Sequence, residues 1–292
     1  MRHSYVERAP VPALAALVSA VFIQRVAPGG SAVRHRHVPN GSTELTCRIG
    51  TAPTVLGPLT RPSTQVLAPG TTVVGLRLRP GAAPAVLGMP ASQFAGLELG
   101  ADAFWGGTAH ALGELVAAAP SPQRALAVLQ AYVVDRRRDA SRPDPLVAAA
   151  VRRLMPGRPG GVPALTGELA TGLTGELATG LTGELATALH VAERSLRRRC
   201  VAAVGMPPKT LHRLLRFQGV LAAAQRAIAR GQSPAEGGLA RLAADAGYAD
   251  HPHLDRECRR LTGVSLRAFL LQTAEQCGHG HDHAVSYDAA HR

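Results

Sequence analysis

Residues 184–200 read Glu184-Leu185-Ala186-Thr187-Ala188-Leu189-His190-Val191-Ala192-Glu193-Arg194-Ser195-Leu196-Arg197-Arg198-Arg199-Cys200. Two amphipathic segments flank a break at His190-Val191-Ala192. Upstream, Leu185 and Leu189 follow Thr182, whose hydroxyl suits a helix N-cap. Downstream, Val191, Leu196 and Cys200 make an apolar side. Arg194, Arg197 and Arg198 fall at i, i+3 and i+4, so three guanidinium groups share one helix face. This is the pattern of a helix-turn-helix. Its second helix is suited to a major groove, with arginine forks matched to guanine O6/N7 or to phosphate.

A second copy follows at 239–261. Leu239-Ala240-Arg241-Leu242-Ala243-Ala244-Asp245-Ala246 reads as its first helix, Gly247-Tyr248-Ala249 as its turn, and Asp250 to Leu261 as its second helix. Pro252 is compatible with that helix because a first turn has no intrahelical amide bond to lose. By analogy of spacing, His251, Asp255 and Arg256 are the exposed set. Cys258 follows the inward Leu254 by four residues, as Cys200 follows Leu196. Between the copies, Pro207-Pro208-Lys209 opens a long helix from Thr210 to about Arg230, with Leu211, Leu214, Leu215, Val220 and Leu221 as its apolar side.

Charge agrees with an anionic partner. The 292-residue chain carries 32 basic and 20 acidic residues, a formal net charge of +12. Lys209 is the single lysine, so the basic groups are almost all guanidinium, suited to phosphates and base edges. From Glu193 to Arg230 there are nine bases against one acid. The longest apolar runs, such as Ala13 to Ile23, fall short of the ~20 residues a membrane span needs. Cys47, Cys200, Cys258 and Cys277 show no paired spacing, which argues against a disulfide framework or a CxxC zinc site. No nucleophile–base pair or phosphate loop stands out, and the chain reads as a non-enzyme of the cytoplasm needing no cofactor.

Upstream the texture changes. Residues 1 to about 100 are rich in Gly, Pro, Thr and Val. Ser42 to Ile49 and Thr71 to Arg79 alternate as strands do, and Pro28-Gly29, Pro69-Gly70 and Pro80-Gly81 punctuate them as turns. From Ala103 to Arg138 the period becomes helical, through Leu112, Leu115, Leu126, Leu129 and Val133. Arg136 to Pro145 reads as a linker. The sequence LTGELATG stands at 165–172, recurs at 173–180 and returns at 181–188 with Ala188 in place of glycine. Five glycines within 165–188 weaken a continuous helix by ~1 kcal/mol each. The repeat therefore reads as a slipped duplication at a domain junction.

From Glu184 to Leu271 the chain resembles the DNA-binding domain of the AraC/XylS family of bacterial transcription regulators. The resemblance is carried by Val204-Gly205-Met206-Pro207-Pro208-Lys209-Thr210-Leu211, by Gly247-Tyr248-Ala249-Asp250-His251-Pro252-His253-Leu254, and by Arg259-Arg260-Leu261-Thr262-Gly263-Val264-Ser265. It implies two helix-turn-helix units reading adjacent major-groove segments of double-stranded DNA. Arg194, Arg197 and Arg198 would face one segment, and His251, Asp255 and Arg256 the next. Ala192 stands where the family usually has a capping serine, and the two cysteines stand where it mostly has phenylalanine. Residues His37 to Leu45, Gly75 to Ala83 and Leu87 to Ala91 resemble, more loosely, the sensor domains of some actinobacterial members, which implies a small cupin-like β-barrel followed by helices.

The expected fold is therefore α+β, with a β-barrel-like N-terminal domain with helices and an all-α double helix-turn-helix domain. The divisions fall at 1–140 (sensor), 141–183 (linker with the repeat), 184–275 (DNA-binding) and 276–292 (a flexible His-rich tail). The implied function is a sequence-specific transcription regulator with an unidentified small-molecule effector. Contact with RNA polymerase and a homodimer are compatible with it. The alternative is a metal-responsive or small-molecule-binding protein whose DNA binding is vestigial, the extra repeat copies misplacing the first helix. Gly29, His35, His37 and Glu44 approximate a metal-cupin motif. The glutamate lies too far from His37, however, and 69–74 contains no partner histidine, so His35 and His37 read as ordinary strand or loop residues. Cys277, His279, His281 and His283 form a tail able to hold soft metals weakly.

Overall fold

A computed structural model describes residues 3–138, 142–155, 177–235, 237–278 and 281–282. The N-terminal half begins with strands β1 (His3–Arg8), β2 (Val18–Val26), β3 (Val33–His37), β4 (Thr43–Arg48), β5 (Thr54–Leu56), β6 (Ser63–Leu67) and β7 (Thr72–Leu78). Helix α1 (Ala83–Leu87), strand β8 (Glu98–Gly100) and helices α2 (Asp102–Trp105), α3 (Thr108–Ala117) and α4 (Pro122–Arg138) complete it. The remaining helices are α5 (Pro145–Leu154), α6 (Leu177–Ala188), α7 (Glu193–Val204), α8 (Pro208–Ala229), α9 (Leu239–Asp245), α10 (His251–Thr262) and α11 (Leu266–Gly278). A two-residue strand, β9 (His281–Asp282), pairs parallel with β1.

The fold is α+β, as the sequence implies, but no closed barrel forms among the described residues. The strands make a seven-stranded sheet in the order β8-β5-β4-β7-β2-β1-β9, with β3 and β6 paired separately as a ribbon. Period-two alternation gives the sheet two different faces. Leu45 and Cys47 of β4 and Val74, Leu76 and Leu78 of β7 join one core with Leu112, Leu126 and Leu129 of the covering helices. The intervening residues, Glu44 and Arg77, lie directly opposite each other across β4 and β7 and turn to the other face. There Tyr5, Phe22, Val26, Leu67 and Val73 form a smaller core under the ribbon.

The repeat departs from expectation. Helix α6 starts at Leu177 within the second copy, five residues before the N-cap that Thr182 suggested, and runs through the third, with Leu181 and Leu185 buried. Packing of that leucine side outweighs the glycine penalty, since tertiary burial supplies most helix stability. The first copy and part of the second lie outside the described residues.

Candidate nucleic-acid interface

The first motif is α6, a turn through Leu189 and His190, and α7. Leu185, Leu196, Cys200, Val204 and Met206 are buried together with Leu211, Leu214 and Leu215 of α8. His190 takes a positive φ of 53°, which reverses the chain between the helices. Ala192 occupies the N-cap of α7 without a side-chain cap hydrogen bond, so the departure from a capping serine leaves that end unsupported. The inward apolar side leaves Arg194, Arg197 and Arg198 exposed on one surface.

Arg199 points elsewhere. Its Nε and Nη2 donate to the two oxygens of Asp144 at 2.6 and 2.9 Å. The same carboxylate caps α5 through the amides of Leu146 and Val147. Burial works against the Asp144 anion, but Arg199 and the two amides together hold its carboxyl below the usual value.

The second motif is α9, a turn through Gly247, and α10. Asp250 caps α10 by accepting from His253 N at 2.6 Å, and Pro252 sits in the first turn as expected. Leu254, Cys258 and Leu261 are buried. His251 is half-buried at the helix start, and Arg256 is exposed. Asp255, expected to face DNA, has both carboxylate oxygens engaged by protein. Its Oδ1 accepts from Leu266 N at 2.7 Å and its Oδ2 from Arg259 Nε at 2.8 Å, so it fastens the start of α11 to α10. The Leu266 amide and Arg259 together lower its carboxyl pKa. A carboxylate held in this way completes a structure and would repel phosphate.

Helix α8 joins the motifs. Arg216 lies over the Tyr248 ring, 4.0 Å from its centre, and donates to Gly247 O. Arg213 Nε and Glu257 Oε1 form an ion pair at 2.9 Å. Sequence reasoning missed both ties. The sole hint was that Arg213 and Arg216 are three apart on a helix that also carries the apolar side.

Cys200 and Cys258 are fully buried, and burial pushes both thiols up to about 11. Thiols in that state stay protonated and behave as small hydrophobes. His35 and His37 both line a cavity beside the sheet, their rings edge to face at 4.6 Å, and each meets a protein side chain. His35 Nδ1 is 3.0 Å from the Gln24 amide nitrogen, and His37 Nδ1 is 3.4 Å from Glu44. The tail beyond Gly278, β9 apart, lies outside the described residues.

Comparisons with known proteins bear on both halves. Residues 185–272 match a family described as a helix-turn-helix domain, and residues 6–99 match a domain of unknown function (DUF6597). No curated protein matches the chain in sequence. Among solved structures, the apo form of a ToxT variant from Vibrio cholerae strain SCE256 is similar at 9% identity and a TM-score of 0.41, covering 84% of this chain and 98% of that one. ToxT from Vibrio cholerae O395 gives 9% and 0.39, over 93% and 97%. Wild-type ToxT from strain SCE256 with unsaturated fatty acid bound gives 9% and 0.38, over 92% and 94%. The two buried motifs and their solvent-facing arginines agree with the domain match: residues 185–272 are an AraC-type helix-turn-helix domain, and the chain is a DNA-binding transcription regulator.

Proposed function

We propose that the protein binds double-stranded DNA sequence-specifically, with α7 in one major-groove segment and α10 in the next. Arg194, Arg197 and Arg198 contact the first segment, and His251 and Arg256 the second. Asp255 is left out because both its oxygens are engaged within the fold. The observation that carries this reading is the sorting of α7. Its apolar side and Arg199 face protein, while three guanidinium groups face solvent with no acid paired to them among the described residues. Helix α8, with 22 residues, is about 33 Å long at ~1.5 Å per residue. That is close to the ~34 Å between successive half-sites on one duplex face.

The same reading includes a small-molecule effector, supported by a cavity between the two halves, and a cytoplasmic location. No helix of the described residues is long and apolar enough to cross a membrane. A mobility shift of the full chain on its own upstream DNA tests the contact set. Arg198→Ala and Arg256→Ala are each expected to weaken binding to the preferred sequence by ~1–3 kcal/mol. Unchanged affinity in both variants would mean that other faces meet the DNA.

A further inference from the structure

Helix α8 carries two arginines, less than one turn apart, that both reach the second motif. Arg213 Nε meets Glu257 Oε1 of α10 at 2.9 Å. Arg216 Nη1 donates to Gly247 O at 3.3 Å, and its guanidinium covers the Tyr248 ring at 4.0 Å. Residues three apart on a helix share a face, so one side of α8 holds the motif at two places. One is the middle of α10, and the other is the turn before it, where Gly247 takes φ 72°. Attachment at two separate places fixes a direction, which attachment at one place does not.

The apolar core acts differently. Leu254, Cys258 and Leu261 seat α10 in the same core as Leu211, Leu214, Leu215 and Phe217 of α8. Apolar burial is non-directional, so it sets the depth of α10 more than its tilt. The two ties, for their part, are poor contributors to stability. Arg213 Nε, Arg216 Nε, the Tyr248 hydroxyl and Glu257 Oε1 are all buried without an aligned hydrogen bond among the described residues. Burying polar groups in this way is unfavourable, and a buried ion pair can often be replaced by apolar side chains without loss of stability. Burial lowers the Arg213 pKa, opposed by Glu257 and reinforced by Arg260 and Arg216. Cations crowded around one carboxylate are better explained by the geometry they impose.

We propose that Arg213 and Arg216 are positioning residues. By holding the second motif at two places, they set the direction of α10 relative to α7, and thereby the spacing between DNA segments that the chain accepts. At its other end α8 follows α7 closely, after the Gly205 turn and Pro207, so both recognition helices are referred to one rod. Neither arginine is assigned a DNA contact. The proposal deepens the DNA-binding reading above and rests on it.

Mobility shifts of the full chain on its upstream DNA, with and without one base pair inserted between the two protected segments, test it. The insertion displaces one segment by about 3.4 Å and about 34° around the duplex. The parent chain is expected to lose about tenfold in affinity, an effect on the scale of one mismatched base pair. Arg213→Met/Glu257→Met removes the ion pair without stranding a buried charge, so it is expected to melt with the parent chain. Its loss on insertion should nevertheless shrink to about threefold or less, and Arg216→Met should narrow the ratio likewise. A change in stability alone lowers affinity for both spacings equally and leaves that ratio unmoved. Circular dichroism reports folding, and if the double variant does not fold, Glu257→Gln, which keeps the side-chain shape, makes the same comparison. The proposal is overturned if folded variants keep the parent's ratio, or if the parent binds both spacings equally. A parent chain that protects no pair of segments would overturn the DNA-binding reading beneath it as well.

Discussion

The carboxylate of Asp144 caps α5 and, with both oxygens, holds Arg199 of α7. Loss of an N-cap carboxylate costs about 1 to 2 kcal/mol, so Asp144→Ala should lower urea-unfolding stability by about that much. Arg199→Ala should cost under ~1 kcal/mol, because the Arg199 side chain is 42% exposed and such pairs are screened. His212 on α8 is a different case. Burial, reinforced by Arg216, lowers its pKa from 6.5 to about 4. The unfolded chain then binds a proton that the folded chain refuses, so stability falls as pH drops from 6.5 toward 4. His212→Gln should flatten that slope by up to ~1.4 kcal/mol per pH unit, read from urea midpoints across the window. At this scale the sequence was partly legible. Helical spacing separated the outward Arg194, Arg197 and Arg198 from Arg199. It also placed Asp255 outward with Arg256, because spacing along one helix carries no information about the Leu266 amide arriving from the next.

Among the elements, the helices of 184–275 were the most legible, since each shows its apolar side within its own span. Strands β4 and β7 were readable from alternation, but β1, β3 and β6 were not, being short and polar where they face the cavity. Their burial comes from pairing partners distant in sequence. For the same reason the Glu44–Arg77 pair could be found only once the register was known. Leu115, which belongs to a helical apolar pattern, is 59% exposed on α3. The end of α7 shows what the sequence does carry. Gly205 takes φ +78°, and a Cβ there would lie 3.1 Å from Ala95 Cβ and 3.2 Å from Ala91 O of the N-terminal half. A left-handed non-glycine residue costs of order 1–3 kcal/mol. Gly205→Ala should therefore destabilise the chain within that range in chemical denaturation. If stability is instead unchanged, the left-handed turn at Gly205 that ends α7 is not as described.

In the whole molecule, the sheet and the helices meet along a polar seam. Arg36 reaches Gln272, Gln218 reaches Pro39 O, and α7 abuts residues 91–95. This seam leaves the exposed arginines of α7 and Arg256 of α10 in solvent while it positions the helix between the two motifs. Electrostatics then dominates affinity, and binding should weaken steeply with salt. Base-contact footprinting of the full chain on its upstream DNA separates the two contact sets. Two protected major-groove segments about one ~34 Å turn apart are expected. Replacing Arg194, Arg197 and Arg198 by alanine should abolish protection of one, and replacing His251 and Arg256 should abolish protection of the other. A single protected segment, or loss of both segments in equal measure from either set of substitutions, would contradict it.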